Sequence, residues 1–179
     1  MLRTFRDGLA ATAGHDLTIE VTRWSGVLEI NDDLSPASLE VRIDMGALAV
    51  RGGTGGIKPL SDRDRREIAV TARKVLGSDR YPEAVFATGT FTPAPSGGEI
   101  SGTFTLRGTA RPLTLRVGET GPGRYHAEAT VVQSGYGIKP YTAFLGALRV
   151  RDAIDVAIDV DLSGAAGATA GGSPGGQGA

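Results

Sequence analysis

The 179-residue chain predicts an all-β fold, an antiparallel eight-stranded barrel carrying one amphipathic helix, on three observations. Short apolar runs alternate with polar residues at a period of two. Glycine is the compositional outlier, with 27 in the chain, about twice ordinary usage, and outside the last segment it falls mostly between those runs. One stretch alone has helical spacing. Several strands with one apolar face each, and one helix to cover them, must turn their apolar faces towards one another, and closure also removes exposed edges.

In chain order, a short strand is expected near Leu2–Phe5. Leu17, Ile19 and Val21 then alternate with Thr18, Glu20 and Thr22. Residues 26–31 are extended but less cleanly sided. Leu39, Val41 and Ile43 alternate with Glu40, Arg42 and Asp44. The glycine-rich stretch Gly52–Lys58 reads as a flexible rim loop.

From about residue 63 to Leu76 the period changes: Ile68, Ala72, Val75 and Leu76 fall on one helical face, with Arg65, Arg66, Glu67, Arg73 and Lys74 opposite. Ser61 or Asp62 can cap the start, Gly77 can close the end in the left-handed conformation, and Pro82 forces extended chain beyond it. Extended segments resume at 84–92. Ile100, Phe104 and Leu106 follow, then Leu113, Leu115 and Val117, then Tyr125, Ala127, Ala129 and Val131. The last strand reads as one long element over 148–162, with Leu148, Val150, Ile154, Val156, Ile158, Val160 and Leu162 on one parity and only Asp152 breaking it. The barrel domain is therefore expected over 1–162. Residues 163–179, uncharged and with no apolar side chain larger than alanine, are expected to be a disordered Gly/Ala-rich tail.

Composition excludes several functions. With no cysteine there is no disulfide, thiolate metal site or cysteine nucleophile. A net charge of -1, from 19 basic and 20 acidic residues, suggests neither a nucleic-acid footprint nor an anionic-membrane tether. Hydrophobic content is 40% and mean hydropathy is -0.06. No apolar run approaches the about 18 residues that span a bilayer, and Met1–Asp7 lacks an apolar signal core. The expected location is cytoplasmic, with export allowed if the natural start lies upstream.

Chemical motifs are sparse. His15, in Gly14-His15-Asp16-Leu17, has two readings: a catalytic or metal-binding histidine oriented by Asp16, or a turn histidine bonding backbone at a strand entrance. The second is the expectation. His126 lies on a polar parity and reads as a solvated surface residue. Zinc sites commonly take three histidines, and the chain has two. The G-x-S-x-G elbow and the P-loop pattern are both missing. Asp152, Asp155, Asp159 and Asp161 read as a solvated face, because alternate strand residues lie roughly 6–7 Å apart and do not share an ion unaided. No metal and no cofactor are expected. Tyr136, Tyr141 and Phe144 cluster in the aperiodic segment 134–148, which either lines a mouth or plugs one barrel end. Trp24 reads as a plug or core residue.

Ala13-Gly14-His15-Asp16-Leu17, Trp24-Ser25-Gly26, Tyr81-Pro82-Glu83-Ala84-Val85-Phe86 and Arg107-Gly108-Thr109-Ala110-Arg111-Pro112-Leu113 stand in an order that resembles the YceI-like, lipid/polyisoprenoid-binding family. The similarity runs over about residues 2–162. It implies a lipocalin-like barrel that holds the apolar tail of an isoprenoid, and it carries no catalytic residue. With the inward parity, it nominates as ligand-lining Leu17, Ile19, Val21, Leu39, Val41, Phe86, Phe104, Leu106, Tyr125, Ala127, Val131, Tyr136, Tyr141, Phe144, Ile154, Val156 and Ile158. The favoured expectation is a non-enzymatic carrier of an isoprenoid, an isoprenoid quinone or another lipid, with no nucleic-acid partner and no stable membrane insertion. The strand edges and the helix leave room for a homodimer. The alternatives are an enzyme that uses the barrel pocket with His15 and Asp16, and a ligand-free stress-response scaffold.

Overall fold

A computed structural model describes residues 1–33 and 35–164 and the backbone of 170–171. Most of the expected tail, 165–169 and 172–179, lies outside the described residues. The fold is mainly β with one α-helix: a curled antiparallel sheet of ten strands forms a half-barrel. In chain order its elements are β1 (Leu2–Thr4), β2 (Arg6–Asp7), β3 (His15–Val21), β4 (Trp24–Ile30), β5 (Pro36–Asp44), β6 (Leu48–Gly55), α1 (Asp62–Leu76), β7 (Glu83–Ala94), β8 (Gly97–Leu106), β9 (Thr109–Gly121), β10 (Arg124–Val132), β11 (Thr142–Ala143), β12 (Leu148–Val150) and β13 (Ala153–Asp161). The order across the sheet is β4-β5-β7-β8-β9-β10-β13-β1-β3-β6, and β11-β12-β2 form a small separate sheet.

Ten strands arise where eight are expected because two long strands are each bent. β3 runs into β4 through Thr22 and Arg23, and β5 runs into β6 through Met45–Ala47. The ladder continues between the two bends, with the Thr22 N–H donating to the Ala47 carbonyl (2.8 Å) and the Asp44 N–H to the Arg23 carbonyl (3.1 Å). Counted as continuous chains, β3–β4, β5–β6, β7, β8, β9, β10, β13 and β1 are eight, and the sheet curls round to its own first hairpin. Among the described residues no ladder joins β4 to β6, the two flanks of the half-barrel; the backbone of Ala170–Gly171 pairs along β4 at Gly26 and Ser25.

Two expectations change here. Gly52–Gly55 is not a rim loop but the second half of β6, paired with β3 from Gly52 opposite Thr18 to Gly55 opposite His15. Glycines there admit what packs on them: a Cβ on Gly53 would meet the Leu60 side chain at 2.5 Å. The single strand expected over 148–162 is broken at Arg151–Asp152. Asp152, the parity breaker, turns its carboxylate to Ser134, accepting from the backbone N–H at 2.7 Å and from the hydroxyl. Before this break β12 pairs with β2 and β11 in the small sheet; after it β13 joins the half-barrel.

The helix forms as its caps dictate. The Ser61 hydroxyl accepts from the Asp64 N–H (3.2 Å) and the Asp64 carboxylate accepts from the Ser61 N–H (2.9 Å), a reciprocal capping box. Gly77 closes the other end at φ 65°. Ile68, Ala69, Ala72 and Leu76 pack against Ile19, Leu48 and Val50, so α1 covers the flank where β3 and β6 meet.

Candidate ligand site

Inward side chains fall into a packed base and a less completely buried wall. In the base, Met45, Ala84, Phe86, Phe104, Leu106, Leu115, Val131, Tyr136 and Ile138 form one buried cluster; Ile19, Leu48, Val50 and Ala69 form a second beneath α1. The segment after β10 is the plug. A 3₁₀ turn at Gln133–Tyr136 brings the Tyr136 ring edge-on to Phe104 at 5.6 Å and carries Ile138 into the centre. Burial raises the Tyr136 phenol pKa above its ordinary value. Arg107 and Arg111 hold the plug in place by donating to the carbonyls of Gly137 (2.7 Å) and Gly135 (3.1 Å).

Beyond the base, the same inner face continues with apolar side chains that remain half-exposed. β10 and β13 supply facing pairs, Tyr125 with Val160, Ala127 with Ile158 and Ala129 with Val156, and the row reaches the base where buried Val131 faces Ile154. β4 and β5 add Leu28 opposite Leu39, and Val41 opposite Gly26; β7 and β8 add Phe91 opposite Ile100; β9 adds Val117 opposite Ala127. Tyr125, Ala127, Ile154, Ile158 and Val160 belong to neither packed cluster. This wall is concave, apolar and incompletely covered.

The seventeen nominated residues therefore divide three ways. Ile19, Phe86, Phe104, Leu106, Val131 and Tyr136 are buried in the base. Leu17, Val21, Leu39, Val41, Tyr125, Ala127, Ile154, Val156 and Ile158 stand half-buried on the inner wall. Tyr141 and Phe144 are not brought to it: both lie on an exposed outer loop, Phe144 at 64% exposure with φ 50°. The aperiodic segment is thus split, its first half a plug and its second half outside. The wall also includes Leu28, Phe91, Ile100, Val117 and Val160. Parity alone identifies Ile100, Val117 and Val160. Phe91 is hidden in the sequence by a register shift between Thr88 and Thr90.

The ionisable groups sit elsewhere. His15, the first residue of β3, donates from Nε2 to the Lys58 carbonyl at 2.8 Å, a bond to backbone at the strand entrance. Asp16 accepts from the Arg6 N–H at 2.8 Å, and as the next residue of β3 it projects to the opposite side from His15. On the outer face His126 meets Asp159 at 2.7 Å and Glu128 at 3.3 Å, which raises its pKa above the usual imidazole value, the Asp159 bond first. Among the described residues no group of three potential ligands could hold a metal ion. The β9–β10 ladder ends at Arg116 opposite Glu128. Where it ends, a polar outer cleft of about 610 Å³ opens between Thr114 and Thr130. No helix is long and apolar enough to cross a membrane among the described residues.

Two solved structures share this architecture. The chain is similar to the Campylobacter jejuni YceI protein, with a TM-score of 0.60 at 13% identity over 80% of this chain and 82% of that one. It is also similar to Burkholderia cenocepacia BcnA, with a TM-score of 0.56 at 12% identity over 88% and 92%. No curated protein sequence matches the chain. The family model of the YceI-like domain matches residues 7–162, from the small sheet through the last strand of the half-barrel. With the curled sheet, the single capped helix and that match together, the chain belongs to the YceI-like family.

Proposed function

We propose that the inner wall binds one apolar chain, an isoprenoid, an isoprenoid quinone or another lipid, without covalent chemistry, and that the protein serves as its carrier. The observation that carries the reading is the half-exposed strip along β10 and β13, from Tyr125/Val160 to Ala129/Val156, which this chain's own side chains cover only in part. Such a ligand has few groups to hydrogen-bond, so its site needs concave apolar area and little else. Each 100 Å² of that surface covered contributes about 2.5 kcal/mol before the cost of association. The small side chains Ala127 and Ala129 keep the middle of the strip shallow, leaving width for a chain beside Ile158 and Val156.

The test is organic extraction and native mass spectrometry of the protein from its host, paired with Ala127→Trp, which places an indole across the strip. Wild type is expected to carry an apolar chain and to rebind it. The variant is expected to bind at least about tenfold more weakly, because an indole in the strip forfeits well over 1.4 kcal/mol of ligand contact. Equal binding by both proteins, or none by wild type, defeats the proposal.

A further inference from the structure

The loops at the plugged end of the half-barrel expose large apolar side chains in an unusual way. Leu9 is 100% exposed, Ile57 85%, Phe144 64% and Leu145 110%. They sit on three neighbouring loops that are fastened together. The Ala10 N–H donates to the Ala147 carbonyl at 2.8 Å, and a Cβ on Gly8 would meet that carbonyl oxygen at 2.3 Å. Gly55 and Gly56 lie against the Arg6 guanidinium and the His15 ring, which places Ile57 beside the same group of loops. Phe144 and Leu145 both hold left-handed backbone, at φ 50° and 56°, a conformation that disfavours residues bearing a Cβ. The loop thus accepts local strain while its two largest apolar side chains stand outside the core.

We infer that this end of the molecule docks on a lipid surface, with Leu9, Ile57, Phe144 and Leu145 entering the headgroup–acyl boundary. Side chains standing clear at separate loop tips bury little against the flat face of another protein, yet they insert readily into a soft interface. Charge complementarity favours the same occupant. Beside the tips lies a cleft of about 390 Å³ where Lys139, Arg149 and Arg151 outnumber Asp7 and Asp152. Arg149 is paired with Asp7 at 2.9 Å; against Asp152 this leaves Arg151, whose guanidinium lies over the Phe5 ring at 5.8 Å, and exposed Lys139 to meet headgroup phosphates. The inference does not depend on what the inner wall holds.

Flotation of the full chain with phosphatidylcholine vesicles, and with the same vesicles doped with phosphatidylglycerol, tests it. Wild type is expected to float with both and more strongly with the anionic set. The double variant Phe144→Ser, Leu145→Ser should partition at least about tenfold more weakly, with its unfolding midpoint retained because both side chains are exposed. Lys139→Glu should remove only the anionic preference. Ile30→Ser, which alters a half-exposed apolar residue on the β4–β5 hairpin, should float as wild type. Absence of wild-type flotation, or flotation unchanged in the double variant, overturns the inference. So does a concentration-dependent dimer that the double variant abolishes, since the occupant would then be a second copy.

Discussion

Gly102 shows how tightly single positions constrain the curl. It lies opposite Thr88 at the register shift of the β7–β8 ladder. A Cβ there would stand 2.3 Å from the Ala87 carbonyl oxygen and 2.9 Å from the Phe86 ring. Gly102→Ala is therefore expected to destabilise the fold by about 2 kcal/mol, the usual cost of overpacking. Gly118→Ala, where nothing lies within 4 Å of the added methyl, should be close to neutral. Chemical denaturation of the two variants makes the comparison, and equal losses would contradict the packing described. His126 gives a pH dependence. Its folded pKa is raised by Asp159 and then Glu128, so its contribution is complete below the ordinary imidazole value of about 6.5. The contribution fades as pH rises through the higher folded value. Solvent screening keeps it under about 1 kcal/mol. The stability difference between wild type and His126→Gln, followed by thermal unfolding, should be larger at acidic than at alkaline pH. A difference independent of pH would remove the His126–Asp159 pair from the account.

At the scale of elements, α1 rests on its caps and its buried face. Ser61→Ala removes the hydroxyl that accepts the Asp64 N–H and should cost about 1 kcal/mol, while Ser61→Asp should restore most of it. Unfolding midpoints of the pair decide the point, since two variants of equal stability would mean that the capping box contributes nothing. This helix was readable in the sequence from end to end, because its start, apolar face and stop each depend on local chemistry. Strands with clean alternation were readable for the same reason. β6 was not: after Leu48 and Val50 its residues are mostly glycine, which has no side chain to reveal a period. The interruption of the last strand was half-visible, since Asp152 broke the parity, but its partner Ser134 is 18 residues away. The exposed placement of Tyr141 and Phe144 was hidden because left-handed backbone at Phe144 and Leu145 leaves no signature in composition.

At the scale of the whole molecule, the parity of the strands identified the inner face, and nine of the seventeen residues nominated from it stand on the half-exposed wall. Which inward residues fill the base and which remain uncovered is decided by the plug at Gln133–Ile138 and by α1, both of which arrive from distant parts of the chain. The outcome is a sheet stabilised at one end by its own side chains and less completely covered along β10 and β13, the strip to which the proposed function assigns an apolar ligand.

Trp24, the only tryptophan in the chain, gives a direct measure of that claim. It lies half-buried opposite Ile43 on the inner face. Titration with an acyl chain carrying bromine atoms, read by Trp24 fluorescence, should give saturable quenching at one chain per protein, displaced by an unlabelled isoprenoid and weakened in Ala127→Trp once its added indole is subtracted. Quenching that rises linearly without saturation, or that is indifferent to the competitor, would contradict an apolar chain held within the half-barrel.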